Sequence, residues 1–517
     1  MKDIATSLPA EIWLLIFDQL FLLDILQLRL VHRVFHGYSQ QRIWEDLTLC
    51  TLEANHYARC KAILRDPSLG PLVRNLFLTP FNNHRRADAR TNLWICDPPI
   101  ENWSGLFRSL QWKRPLRSLK WFRLSRKGID VGASVTSHLT NIRRLSLSFS
   151  FPEDFHPSPE PYRRILSNLP TTSLQFLDLR FTSATALQIF GEALHHAPPI
   201  FENLQTLFID LRIRWYWETS RNYGERDFQT DIQAISNTGR NSLRSLRICI
   251  GKLRVISSLH PLFNGLGVFP NLDHFSFSFL GDYEHNRITE FLRQHHPHLK
   301  SLDLQNLIHR ALAIVDPDDA QDNRPMPELQ TLSFFNRHHG MIPSWPLARL
   351  RLRPYANSLT TLVISNWWFH PRSRNSFNEP PVKHGFEFDD VKELLLSLRR
   401  PNQGALLRRL KIHLLELSPE LFDLMSNYLD NLQILDISYH DLVAQKGDAR
   451  EGKANFWRKM SARCYSNWGL KAISLNRATS QLYSNYAPNP PVMRLLARRI
   501  PSVREIGPLH WSEADWH

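Results

Sequence analysis

One six-residue pattern, apolar-x-x-apolar-x-apolar, recurs along most of this 517-residue chain. It reads Ile142-x-x-Leu145-x-Leu147, Leu174-x-x-Leu177-x-Leu179 and Leu299-x-x-Leu302-x-Leu304, for example. The copies begin at Leu119, Ile142, Leu174, Leu204, Leu243, Leu272, Leu299, Leu329, Leu359, Leu407, Leu432 and Leu470. An early copy begins at Val73, and Val503-Arg504-Glu505-Ile506 trails off at the end. Two apolar residues separated by one share one face of a short strand, and the residue between them points the other way. One such strand cannot bury its apolar face, whereas stacked copies cover one another.

From Ile142 onward the copies lie 25–39 residues apart, apart from a wider gap before Leu407. Helix-like stretches fill the intervals: Ala184 to Ala197, Ile288 to His295, Val391 to Leu398 and Leu421 to Leu429. Strand, loop, helix and return make a repeating unit. An ordinary α/β fold with a mostly parallel sheet would not carry one six-residue signature a dozen times. The unit resembles the leucine-rich repeat, over roughly residues 70–507. That family usually has Asn or Cys three residues after the strand motif, where a side-chain ladder satisfies turn backbone. Here those sites hold Ser150, Thr182, Arg212, Gly251, Leu280, Leu307, Arg337, Trp367, Leu415 and His440. The resemblance therefore implies irregular repeats with long loops.

The first fifty residues are of another kind. Ile12, Ile16 and Leu20 share a helical face, while Trp13, Leu14, Leu15 and Phe17 fill the others. A helix apolar all round must be buried on several sides, and so few residues make only a marginal core. A helical hairpin packed on the body is one way to bury it. A signal peptide is not, because Asp18 and Asp24 interrupt the apolar run and no small-residue cleavage site follows. The order Leu8-Pro9, Glu11-Ile12, Ile16-Phe17, Leu20, then Ile25 to Val31 behind a capping Asp24, Phe35 and a closing Trp44, resembles the F-box over residues 7–48. His32 replaces the cysteine usual after the valine, and Phe21-Leu22-Leu23 is more apolar than the usual turn.

The expected fold class is thus α/β: a short all-helical F-box (1–48), a helical linker or cap (49–70) and an irregular leucine-rich-repeat solenoid, a horseshoe (71–510). The resemblance implies a substrate-recognition subunit of a Skp-cullin-F-box ubiquitin ligase. Leu8, Pro9, Ile12, Ile16, Leu20, Leu28, Val31 and Trp44 would be the anchor or core positions for a Skp-type adaptor, through which a cullin and its RING partner are reached. A non-degradative protein-binding scaffold is the alternative. Candidate substrate contacts are strand-face residues Trp121, Arg123, Arg144, Arg180, Arg247, Arg409 and Lys411, with loop aromatics Trp215, Trp217, Trp367 and Trp368. The loop aromatics lie in interruptions at 212–240 and 366–385, a third interruption being 335–353. Exposed aromatic and Arg clusters make binding anchors, though the same rings could equally pack as local cores of long loops.

Enzyme chemistry is not expected. G-x-S-x-G, G-x-x-x-x-G-K-[ST] and H-E-x-x-H are all absent. Gly265-Leu266-Gly267 is a lone G-x-G, and His295-His296-Pro297-His298 lacks an acidic or Cys partner at ligand spacing. No cofactor or metal is expected. Five scattered cysteines without a C-x-x-C suggest reduced thiols inside the cell, in cytoplasm or nucleus. No run of 18 apolar residues exists to span a membrane. The formal net charge of +14 invites a nucleic-acid reading, but Lys/Arg runs are only pairs and the strand face is mixed in sign. A protein partner is expected, not nucleic acid or membrane.

Overall fold

The computed structural model describes residues 8–20, 22–28, 30–50, 59, 62–66, 68–79, 118–124, 142–149, 158–169, 171–196, 201–211, 223–251, 258–279, 286–295, 297–305, 326–336, 352, 355–366, 385–399, 405–443, 452–477, 487–488 and 490–506. The chain divides into two compact units, Met1–Leu243 with Ile250–Gly267, and Arg244–Cys249 with Val268–His517.

The first unit opens on three helices, α1 (Ala10–Gln19), α2 (Leu22–Leu28) and α3 (Arg33–Glu45). Strands β1 (Asp46–Cys50), β2 (Asn75–Thr79), β3 (Ser118–Leu124), β4 (Arg144–Phe149), β5 (Phe176–Phe181) and β6 (Thr206–Leu211) follow. They lie side by side in chain order, each parallel to the next. Helices α4 (Glu160–Ser167), α5 (Ala184–His196), α6 (Glu225–Asn237) and α7 (His260–Leu266) complete this unit.

The second unit carries β7 (Ser245–Ile250), β8 (His274–Phe279), β9 (Ser301–Gln305), β10 (Thr331–Asn336), β11 (Thr361–Asn366), β12 (Arg409–Leu417), β13 (Ile434–Leu442) and β14 (Ala472–Arg477). These too pair in sequence order, and the pairs from β8 to β14 are parallel. Between them come α8 (Asn286–His295), α9 (Phe388–Ser397), α10 (Pro419–Tyr428) and α11 (Gly452–Ser461). Short β15 (Ala487–Pro488) pairs antiparallel with β14, helix α12 (Pro490–Arg499) follows, and β16 (Glu505–Ile506) pairs parallel with β14.

The register is the one the six-residue pattern requires. Leu145 sits beside Leu177 and Leu147 beside Leu179. Leu302 lies between Phe275 and Leu332, and Leu435 between Leu410 and Ile473. The motif's first residues are as buried as its strand residues: Ile142, Leu174, Leu204, Leu243, Leu299, Leu329 and Leu432 are all 0% exposed. Because Leu302 fills a slot walled by its neighbours in register, Leu302→Ala is expected to cost about 3 kcal/mol. Urea unfolding followed by circular dichroism measures it, and an unchanged midpoint would mean that the slot collapses freely.

At many strand entries the backbone is satisfied by the neighbouring repeat. The N–H groups of Gln175 and Phe176 both donate to the Arg143 carbonyl, at 2.9 Å each. The same two-into-one bond recurs in the second unit, where the carbonyls of Arg244, Asp273, Lys300, Gln330, Thr360, Arg408, Gln433 and Lys471 each accept two N–H groups from the following repeat. A main-chain ladder makes no demand on side-chain identity, which is why irregular sequences can use it.

Four local readings need correction. The interruption at 212–240 is not all insertion, since α6 lies inside it with Phe228, Ile232 and Ile235 buried at helical spacing. Asp24 does not cap α2. The helix begins two residues earlier and places Asp24 in its first turn. Val31 lies beyond the end of that helix, its N–H donating to the Leu28 carbonyl at 2.9 Å. The copy read as Leu119-x-x-Phe122-x-Leu124 is offset by three, because Leu119 itself pairs with Leu76 and Leu145. A register shift between Trp121 and Leu124 then brings Leu124 beside Phe149.

Candidate protein-binding surfaces

The N-terminal helices bury one face of α1 and leave another open. Trp13, Phe17 and Leu20 follow at four- and three-residue steps and meet Ile25, Leu28 and Phe35. Trp13 stands edge-on to Phe35 with ring centroids 4.7 Å apart. The Pro9 carbonyl accepts the Ile12 and Trp13 N–H groups, so Pro9 stands just before the first turn, where its missing N–H costs nothing. Leu8, Ile12 and Leu15 recur at the same steps along another stripe and are 39%, 41% and 62% exposed. Leu30 and Val31, after α2, are 81% and 71% exposed. Isolated exposed leucines are ordinary, but five large apolar side chains on so small a unit are not. Among the remaining anchor candidates, Ile16, Leu20, Leu28 and Trp44 are half-buried. The Trp44 indole N–H donates to Gln40 Oε1 at 2.8 Å.

Trp44 has a second role that the sequence reading missed. Trp44-x-x-Leu47-x-Leu49 is itself a copy of the repeat pattern, and β1 pairs with β2 as Leu47 with Leu76 and Leu49 with Leu78. The repeats thus begin inside the stretch that resembles an F-box.

On the strand face of the first unit, Asp178 is 3% exposed and anchors a cluster. Arg180 donates to it from Nε (3.0 and 3.1 Å) and Nη2 (2.9 Å), and Ser146 Oγ donates to it as well. The Arg180 guanidinium also lies 5.3 Å from the Phe208 ring centroid, and that of exposed Arg144 lies 6.0 Å from Phe176. In the second unit Lys411 Nζ is 3.2 Å from Asp436 Oδ2, and Asn476 Nδ2 donates to Asp436 Oδ1 at 3.2 Å. His413 and His440 stack with centroids 5.2 Å apart. Ser276 and Gln305 both donate to Asp303 Oδ2, at 2.9 and 2.8 Å. Arg247 and Arg409 are half-buried on β7 and β12. Each face mixes both signs, and in each one cation is held by a buried carboxylate, Arg180 by Asp178 and Lys411 by Asp436. The backbone of Trp121 pairs in register with Leu78 and Leu147, and Arg123 lies further along β3. Trp215, Trp217, Trp367 and Trp368 lie outside the described residues.

Motifs set aside in the sequence have structural work. His295 is 3% exposed, donates from Nδ1 to the Phe291 carbonyl (2.7 Å) and accepts the Phe269 N–H at Nε2 (2.9 Å). Burial lowers its pKa from the usual histidine value. Gly265 lets α7 approach α6, since a Cβ there would lie 2.6 Å from the Gln229 carbonyl oxygen, and Gly267 turns the chain with φ 66°. Among the described residues no cluster of three metal-ligating side chains occurs, and no helix is long and apolar enough to cross a membrane.

No known family profile matches the chain, and no curated protein does either. Solved structures do match. One is titled "Crystal structure of TLR13-ssRNA13 complex", with a TM-score of 0.30 and 13% identity, the match covering 80% of this chain and 58% of that one. This chain therefore spans less than two thirds of that protein's length. The register, the strand pairing and the intervening helices define an α/β repeat architecture with parallel strands in chain order.

Proposed function

We propose that this chain is the substrate-recognition subunit of a Skp-cullin-F-box ubiquitin ligase. The observation that carries the reading is the open apolar stripe Leu8, Ile12 and Leu15 on a helical unit whose other stripe, Trp13, Phe17 and Leu20, packs on its own core. Together with Leu30 and Val31 it offers a partner protein more apolar area than so small a unit leaves exposed without use. The adaptor would bury it, and the strand faces would hold the substrate. Their mixture of cations and carboxylates suits a protein ligand with its own charge pattern. The chain supplies no catalytic group in this scheme. It raises the effective concentration of substrate lysines at the site of ubiquitin transfer.

The test is co-purification of the full chain from a eukaryotic lysate. The wild type is expected to bring down a Skp-type adaptor together with a cullin. Leu8→Ala with Pro9→Ala should reduce that capture at least ~10-fold, as truncation of central interface anchors does. Failure to capture the adaptor, or capture indifferent to the double substitution, would refute the reading. Adaptor without cullin would favour the non-degradative scaffold.

A further inference from the structure

A run of positive charge without any compensating carboxylate lies in the last repeats. From Gly452 to Arg504 the sequence holds ten Lys or Arg residues and no Asp or Glu, against a net +14 for all 517 residues. Helix α11 ends on Arg458 and Lys459 and α12 on Arg498 and Arg499. The two helices pack together, and α12 also packs on β14. At the strand entries beside them, the Arg504 N–H donates to the Lys471 carbonyl at 2.8 Å. Arg458, Lys471, Arg494, Arg498 and Arg504 are exposed, and none forms an ion pair among the described residues. Arg463 is different: its Nε is 2.8 Å from Asp423 Oδ2 and its Nη2 3.8 Å from Glu420.

A structural account covers only part of this. Cations in a helix's last turn favour the negative end of its dipole, which explains the two pairs at the ends of α11 and α12. It does not explain Arg494, Lys471 or Arg504, nor the absence of any carboxylate over 53 residues. Unrelieved like charge works against compaction. A protein partner fits poorly as well, because protein interfaces centre on buried apolar anchors and the only large apolar side chain exposed here among the described residues is Ile506, at the margin. Exposed Glu505, at the start of β16, is the one carboxylate among the described residues at its margin. A surface so predominantly cationic, Arg-rich and without an apolar centre matches a polyanion of regularly spaced phosphates.

We infer that the terminal helices α11 and α12, with the entries of β14 and β16, form a docking surface for the phosphate backbone of nucleic acid. Binding there is independent of base sequence, since the groups offered are cationic side chains, which meet phosphate oxygens and carry no base readout. The strand faces, mixed in sign, take no part. The expectation against nucleic acid rested on those faces and on the shortness of the basic runs. The helix layer gathers charges that are scattered in sequence.

The experiment is fluorescence anisotropy of the full chain with a labelled mixed-sequence 20-base-pair DNA duplex across a salt series. With four or five phosphate contacts, affinity should fall about two orders of magnitude between 50 and 200 mM salt, a log–log slope near ~−4. R458Q/R494Q/R498Q/R504Q should weaken binding more than ~10-fold and flatten the slope by ~3–4, each single variant by ~0.9. The matched set R143Q/R164Q/R226Q/R244Q, exposed arginines elsewhere, should change the slope little. Circular dichroism checks folding, and the single variants carry the test if the quadruple one misfolds. The inference is overturned if the two quadruple variants behave alike or if the duplex does not bind at 50 mM salt. It is overturned in favour of an acidic protein partner if polyglutamate of equal charge competes as well as unlabelled duplex.

Discussion

Gly191→Ala is expected to destabilise the first unit by about 3 kcal/mol, the upper end for overpacking a close-packed interior. Gly191 lies on α5, where that helix meets α6, and a Cβ there would overlap Asp231 Oδ1 and Cγ and lie 2.8 Å from its Cβ. Asp231 cannot swing aside cheaply. It is 5% exposed, and its Oδ2 accepts the Tyr223 hydroxyl at 2.8 Å. Moving it would break that bond in a buried site. A melting temperature lowered by roughly 6–12 °C follows for a unit of this size. In an Asp231→Ala background, with the obstructing carboxyl gone, the same glycine substitution should cost less than half as much. Equal costs in the two backgrounds would separate the glycine from the aspartate.

The second large effect is a dependence of stability on pH centred on the same aspartate. Burial pushes the Asp231 carboxyl up to about 7, nearby Glu192 and Asp227 add to the rise, and the bond from Tyr223 opposes it. The Tyr223 phenol is itself held protonated well above its ordinary value by burial and by Asp231. His195 Nε2 lies 3.6 Å from Asp231 Oδ1 at the rim of the site. An aspartate in an unfolded chain releases its proton near ~3.9. Between about 4 and 7 the folded chain therefore holds a proton that the unfolded chain has lost, so stability falls as pH rises through that window. Three pH units correspond to at most about 4 kcal/mol. The contribution is complete below pH 4 and gone above 7. Other carboxylates titrate too, so the comparison is with Asp231→Asn, which should lack this part of the slope. Parallel pH profiles for the two proteins, from urea midpoints at pH 5 and 8, would sink the assignment.

Neither effect could be read from the sequence. Gly191, Tyr223 and Asp231 sit at no fixed spacing, and Tyr223 and Asp231 fall in the stretch taken for a surface insertion. The periodicity of Phe228, Ile232 and Ile235 was there to mark α6. That period competes in the same stretch with the strand pattern, whose copies flank it at Leu204 and Leu243. The strands themselves were legible because a two-residue period with one apolar face leaves only one register that buries it. Thus Leu145, Leu177 and Leu207 lie side by side as their motif positions require. The offset at β3 arose because Leu119, Trp121, Phe122 and Leu124 satisfy the pattern in two frames, and pairing with Leu76 and Leu145 selects one. The apolar surplus at the N-terminus was visible, but its division into an inward stripe through Trp13 and Phe17 and an outward one through Leu8 and Ile12 needed the helix packing. The charge of the last repeats was countable all along. It forms no run in sequence, because helices and strand entries bring together residues far apart along the chain.

The junction at Trp44 has a mechanical consequence. Helix α3 ends at Glu45 and β1 starts at Asp46, with no residue between them, and the Glu45 carbonyl already accepts the Arg74 N–H at 2.9 Å. Such a joint behaves like a crank keyed to its shaft. Whatever grips the outer stripe of α1 also fixes the bearing of the first strands, with no swivel to absorb a mismatch.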